Sequence, residues 1–133
     1  MHFDLHVELK QKKERVLSWF TQELLKSQVK EQVARVFLFG SLLREDIDEG
    51  SDIDVLIFAT GELDKVRQIC ADISFEAALK FGESVEPLVY CVDEMRYFPS
   101  SFIFSVVSRG KEIYKMEEKR DRKTNQIGVR FKK

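Results

Sequence analysis

Two short stretches of this 133-residue chain hold residues whose types and spacing could do chemistry. Gly40-Ser41 follows the apolar run Val36-Phe37-Leu38-Phe39, and Asp52-Ile53-Asp54 comes after a ten-residue spacer and opens a second apolar run, Val55-Leu56-Ile57-Phe58. Alternate side chains of a strand share a face, so Asp52 and Asp54 project side by side while Ile53, Val55 and Ile57 point to the other. Two carboxylates held that close repel each other and titrate as a pair unless a cation lies between them. Their hard oxygens suit magnesium, which is commonly held by one or two carboxylates and shares its other positions between water and substrate phosphates. Gly40 permits a tight turn and a close approach of phosphate to the backbone. Ser41 is a good N-cap for a helical turn through Leu42, Leu43 and Arg44, whose free amides attract anions. Arg44 adds a permanent positive charge. The two halves together describe a nucleoside triphosphate and its magnesium lying across two strand ends.

Each feature alone has an ordinary explanation. Asp-x-Asp at a strand start often meets only solvent, and Gly-Ser after a strand is usually a turn. Their combination on consecutive apolar strands points to a site. A calcium loop built from Asp46, Asp48, Asp52 and Asp54 fails on register, because no third ligand and glycine follow Asp48 at the required spacing and the closing position is Ile57. The acidic run from Glu45 to Glu49 therefore reads as a solvated loop. His2 and His6 lie four apart near a terminus with no third ligand, which argues against a metal pair.

The elements that position these residues follow from periodicity. Leu9 to about Val29 forms a helix whose apolar side chains recur at Val16, Leu17, Phe20, Leu24 and Leu25, with Lys12, Lys13, Glu14, Glu23 and Lys26 on its wet side. Strands are expected at 34–39 and 52–59, and a second amphipathic helix from Glu62 to about Lys80, capped by Gly82. Strand, helix and return strand make a crossover, so the third strand, 84–92, runs parallel to the second. Its alternation puts Glu86, Leu88 and Tyr90 on one face, and Pro87 suits an edge strand. Residues 94–99 read as irregular, followed by a helix from about Ser100 to Ser108 that Gly110 stops. A short last strand ends near Tyr114. Met95, Tyr97, Phe98, Phe102 and Phe104 exceed what one short helix can bury; they are expected mostly to complete the core, some facing a partner or an adenine ring. The pattern is α/β (α+β), with one domain over residues 1–114 and a charged, flexible tail over 115–133.

Composition removes several classes. The 22 Lys and Arg nearly cancel the 23 Asp and Glu, so no global field selects nucleic acid or membrane. No run approaches transmembrane length. Eleven phenylalanines suggest a core rich in aromatics. Cys70 and Cys91, in apolar surroundings with no secretory signal ahead, fit reduced thiols and a cytoplasmic location. The basic tail has only Phe131 for stacking, which argues against single-stranded nucleic acid.

Gly-Ser, ten residues, then Asp-x-Asp resembles the signature of the DNA polymerase beta-like nucleotidyltransferase superfamily, and the chain length resembles its minimal nucleotidyltransferase branch, typified by MntA-type antitoxins. Gly40, Ser41, Arg44, Ser51, Asp52 and Asp54 match the motif of that branch; Leu43 replaces its usual small residue and Glu45 its usual glycine. The resemblance implies a single nucleotidyltransferase domain with a mixed sheet and helices mainly on one face. It implies that Asp52 and Asp54 bind one or two magnesium ions, that Gly40, Ser41, Arg44 and Ser51 bind the nucleotide phosphates, and that ATP is the donor. A third carboxylate opens the third strand in many members. Glu86 is the candidate here, as metal ligand or general base, with Glu83 as the fallback. Members that adenylylate antibiotics or extend RNA usually add a second domain that binds the acceptor, which this chain has no room for. The branch commonly pairs with a HEPN toxin and adenylylates it, so the implied partner is a HEPN-family protein. Two alternatives stand beside it: a small-molecule nucleotidyltransferase with its pocket across a homodimer, and an antitoxin that acts by contact alone.

Overall fold

The computed structural model describes residues 4–97, 99–120 and 127–131. Helix α1 spans Leu5–Lys26 and begins where the Asp4 carboxylate accepts the His6 and Val7 amides, at 3.0 and 3.2 Å. A 3₁₀ turn, Lys30–Gln32, leads into strand β1, Val33–Phe39. After the short helix α2, Ser41–Arg44, come strand β2, Ile53–Ala59, helix α3, Leu63–Phe81, and strand β3, Val85–Cys91. Helices α4, Val92–Arg96, and α5, Ser101–Arg109, precede strands β4, Lys111–Arg120, and β5, Ile127–Phe131.

The strands form one five-stranded mixed sheet in the order β3-β2-β1-β4-β5. β2 and β4 flank β1 and run antiparallel to it, and β3 is parallel to β2, as the crossover reading requires. β3 is an edge strand, which is where Pro87 costs no ladder bond. Gly82 closes α3 in the left-handed conformation, with φ of 66°.

The sheet buries both faces. Val36 and Leu38 of β1 join Ile53, Val55 and Ile57 of β2 against Val16, Phe20 and Leu24 of α1 and Val66, Cys70 and Ala77 of α3. On the opposite face Phe37, Leu56 and Phe58 pack against Val92, Ile103 and Val106 of α4 and α5. The long helices thus share one face, as the resemblance implies, and the short ones cover the other.

The structure changes four expectations. Helix α4 takes in Val92, expected to end the third strand, and Glu94 to Arg96, expected to be irregular; Glu94 accepts the Cys91 amide at 3.1 Å and starts the turn. β4 runs past Tyr114 to Arg120 and pairs with β5, so the expected domain end falls inside a strand. The core is mostly aliphatic: Phe20, Phe37 and Phe58 are buried, but Phe75 and Phe104 are 67% and 65% exposed. Lys13, expected on the wet side of α1, is fully buried. His2, Phe98 and residues 121–126 of the expected tail lie outside the described residues.

Candidate active site

β1 ends at Phe39 opposite Asp54 of β2, and Gly40 turns the chain away. Its φ of 79° and ψ of −154° lie where an L side chain is strained. Space is equally restrictive, since a Cβ on Gly40 would sit 2.1 Å from Asp54 Oδ2. The glycine is thus what lets the backbone lie directly against the carboxylate. Ser41 opens α2 as its first helical residue; Gly40 is the N-cap, and no side chain caps the turn, in contrast to the expected Ser41 cap. The first-turn amides of such a helix have no intrahelical acceptor. The turn closes through Arg44 N–H to Gly40 O at 3.1 Å and Asp46 N–H to Ser41 O at 3.1 Å. The Arg44 guanidinium is exposed, 3.4 Å from Asp46.

Glu45 follows with φ of 64°, the one non-glycine residue of positive φ among the described residues. It pairs with Lys10 of α1, which anchors it in that conformation.

The ten-residue spacer is a braced loop. The Asp48 N–H donates to Ser51 Oγ at 2.9 Å, Gly50 N–H donates to Asp48 Oδ1 at 2.9 Å, and Ser51 N–H donates to Asp48 O at 3.1 Å. Ile47 is buried and pins the loop to the core. The Ser51 hydroxyl is thus engaged within its own loop. Asp52 lies one residue before β2, where the sequence placed it in the strand.

Asp54 and Glu86 are register partners on the parallel strands β2 and β3. Burial raises the Asp54 pKa above the ordinary carboxylate value, the negative charges of Asp52 and Glu86 raise it further, and Arg44 opposes them. The charges of Asp52, Glu86 and Arg44 are thus all felt at Asp54. Glu86 is the carboxylate in register with Asp54. Glu83, the fallback, is 4% exposed and bound to Lys13 at 2.6 Å, which removes it from the site.

Among the described residues no three His, Cys, Asp or Glu side chains converge into a ready-made metal cage. The donor chemistry nevertheless fits magnesium. Asp54 carries a charge that burial and two carboxylates disfavour, and a dication is what would relieve it. Asp52 and Asp54 are the residues that would hold such an ion.

Sequence reasoning missed Lys13 and Glu83. The Lys13 ammonium donates to Glu83 Oε1 and to the Ser51 carbonyl, each at 2.6 Å, directly behind Asp52. The signal was present: Lys13 lies three, four and seven residues before Val16, Leu17 and Phe20, on the helix's apolar stripe.

A family model described as polymerase beta, nucleotidyltransferase, matches residues 21–119. Two proteins of Methanocaldococcus jannaschii, both provisionally named protein adenylyltransferases, are similar to the chain. One is 36% identical over 87 residues, covering 64% of this chain and 83% of the relative; the other is 31% identical over 91 residues, covering 68% and 87%. A solved toxin–antitoxin structure with AMP-PNP superposes with a TM-score of 0.48 at 22% identity, covering 70% of this chain and 68% of that one. A mutant of the MntA–HpeT toxin–antitoxin pair superposes with a TM-score of 0.47 at 22% identity, covering 71% and 69%. Because the family model spans most of the chain, and the motif and mixed sheet accord with it, the chain belongs to the polymerase beta nucleotidyltransferase family.

Proposed function

We propose that this nucleotidyltransferase moves AMP from ATP onto a hydroxyl of a partner protein, and that it serves as the antitoxin of a toxin–antitoxin pair whose toxin is of the HEPN family. The observation that carries the chemistry is Asp54, wedged against Gly40 and flanked by Asp52 and Glu86. Protein as acceptor is supported by the naming of the two archaeal relatives. It also accords with the fold, since every described element belongs to the sheet or packs on it and none builds a separate acceptor-binding lobe. The HEPN partner follows from the motif's resemblance to the minimal branch.

In this reading the acceptor oxygen attacks the α-phosphorus in line, the bond from that phosphorus to the bridging oxygen breaks, and pyrophosphate leaves with the electron pair. Gly40 and the first amides of α2 bind the β- and γ-phosphates, and Arg44 offsets charge on the departing pyrophosphate. Asp52 and Asp54 would hold the triphosphate's magnesium, whose chemistry there would be Lewis-acid polarisation of the phosphate oxygens. Glu86, the register partner of Asp54, accepts the proton of the attacking hydroxyl or would join the metal ligands. Ser51 acts through the loop that delivers Asp52, and its hydroxyl is left out of the phosphate set.

The test uses ATP labelled on the α-phosphate, magnesium and host lysate, with wild type or the Asp52→Asn/Asp54→Asn double variant. Label on one small protein, with wild type alone, is the expected result. Label on a small molecule instead moves the acceptor to that class. Equal labelling by the double variant removes the two aspartates from the chemistry.

A further inference from the structure

Lys13 occupies a position on α1 where the stripe calls for a hydrophobe, and it is 0% exposed. Its ammonium makes two hydrogen bonds of 2.6 Å, one to Glu83 Oε1 and one to the carbonyl oxygen of Ser51. The second Glu83 oxygen lies 3.4 Å from the Lys12 ammonium at the surface.

The location of these partners matters more than their strength. The Ser51 carbonyl belongs to the peptide unit that carries Asp52, so a bond to it fixes the plane from which Asp52 projects. Glu83 precedes Ser84, whose carbonyl accepts the Ile53 N–H at 2.8 Å. One buried ammonium therefore grips the chain just before Asp52 and just before the strand that carries Glu86. Stability alone does not call for such a pair. Removing two charges from water is expensive, and apolar side chains of similar volume commonly fill such a space at equal or better stability. An apolar pair would fill the cavity but would leave the Ser51–Asp52 peptide without its donor.

We propose that Lys13 and Glu83 are positioning residues: from α1, they set the orientation of Asp52 and the register of Glu86 against Asp54, and so tune the site's hold on its dication. This rests on the reading of Asp52 and Asp54 as the metal-binding pair. Outer partners of metal ligands typically change affinity or activity by about 10- to 100-fold when removed.

The experiment measures manganese binding in the presence of ATP, by the spin resonance of the free ion, beside the thermal midpoint and the amide resonances of Asp52 and Glu86. Wild type, Asp52→Asn/Asp54→Asn, Lys13→Met/Glu83→Met and Glu83→Gln are compared. The expected result is that Lys13→Met/Glu83→Met melts near wild type, shifts both amides and binds manganese about 10- to 100-fold more weakly. Glu83→Gln keeps the bond from Lys13 to Ser51, so its Asp52 amide should stay in place while its Glu86 amide moves, with a smaller loss of affinity. Wild-type affinity and amide positions in Lys13→Met/Glu83→Met overturn the proposal and leave a merely structural pair. If that variant does not fold, wild-type affinity and Glu86 amide position in Glu83→Gln overturn it equally. Should wild type and Asp52→Asn/Asp54→Asn bind manganese alike, it is the metal reading of the aspartates that has failed, and the proposal falls with it.

Discussion

Burial, Asp52 and Glu86 all raise the Asp54 pKa above its ordinary value of 3.8, with Arg44 alone opposing them. The folded protein therefore holds the Asp54 proton more tightly than the unfolded chain does. Between the unfolded and folded pKa values the native state binds more protons, so this residue's contribution to stability falls as pH rises through that window. At about neutral pH the ionised carboxylate is a burden on the fold. Asp54→Asn should accordingly melt higher than wild type near pH 7, and the gain should vanish once the pH drops below the unfolded carboxylate range. Adding magnesium and ATP should narrow the gap by stabilising wild type alone. Calorimetry across the acid range, with and without the ligands, checks both halves; identical midpoints at neutral pH would mean that Asp54 bears no electrostatic strain. Glu45 bears the other local strain at this site. The branch that the motif resembles often has glycine there, and the φ of 64° shows why that residue is favoured.

The β-strands that frame the site were legible because each is an apolar run cut off by turn residues. β1 stops at Gly40-Ser41 and β2 at Thr60-Gly61, and both strands came within a residue of their observed bounds. The parallel placement of β3 followed from the intervening helix, and with it the register of Glu86 on Asp54. Two elements were hidden. The five residues of α4 are too few to display a helical period. β5 alternates Ile127, Val129 and Phe131, but within a segment so basic that composition masked the alternation. Lys13 was misread for a different reason: charge was allowed to outvote spacing, and no single-chain pattern reveals that Glu83, seventy residues away, supplies the counter-charge. Removing one member of a buried pair leaves the other charge without compensation. Lys13→Met alone should therefore destabilise the protein by about 3–5 kcal/mol, and adding Glu83→Met should recover most of the loss. Urea unfolding of the single and double variants gives the comparison. A single variant as stable as wild type would mean that water reaches Glu83.

At the scale of the molecule, a single sheet separates two apolar clusters of unequal size, and the site sits where the strands emerge between them. Alternation along β2 makes the division: Ile53, Val55 and Ile57 serve the α1 and α3 side, while Leu56 and Phe58 serve the side of α4 and α5, which is also the face that Asp54 shares. Stability on the second side depends on few side chains, and the phenylalanines of α5 are not chief among them. Phe102 touches Phe39 edge-to-face at 5.3 Å between ring centroids, yet it remains 38% exposed, and Phe104 points outward. Ile103 and Val106 are the residues that reach the sheet. A count of aromatics in the sequence cannot make this distinction, because it depends on which third of the α5 surface faces Phe37 and Phe58. Truncating Ile103 to Ala removes buried methyl groups from a small cluster that has little to collapse around the gap, and should cost about 2–5 kcal/mol. Phe104→Ser removes a larger side chain from solvent contact and should change stability by no more than about 0.5 kcal/mol. Denaturant midpoints of the two variants decide between them. Equal losses would place Phe104 in the core and reverse the assignment of the α5 face.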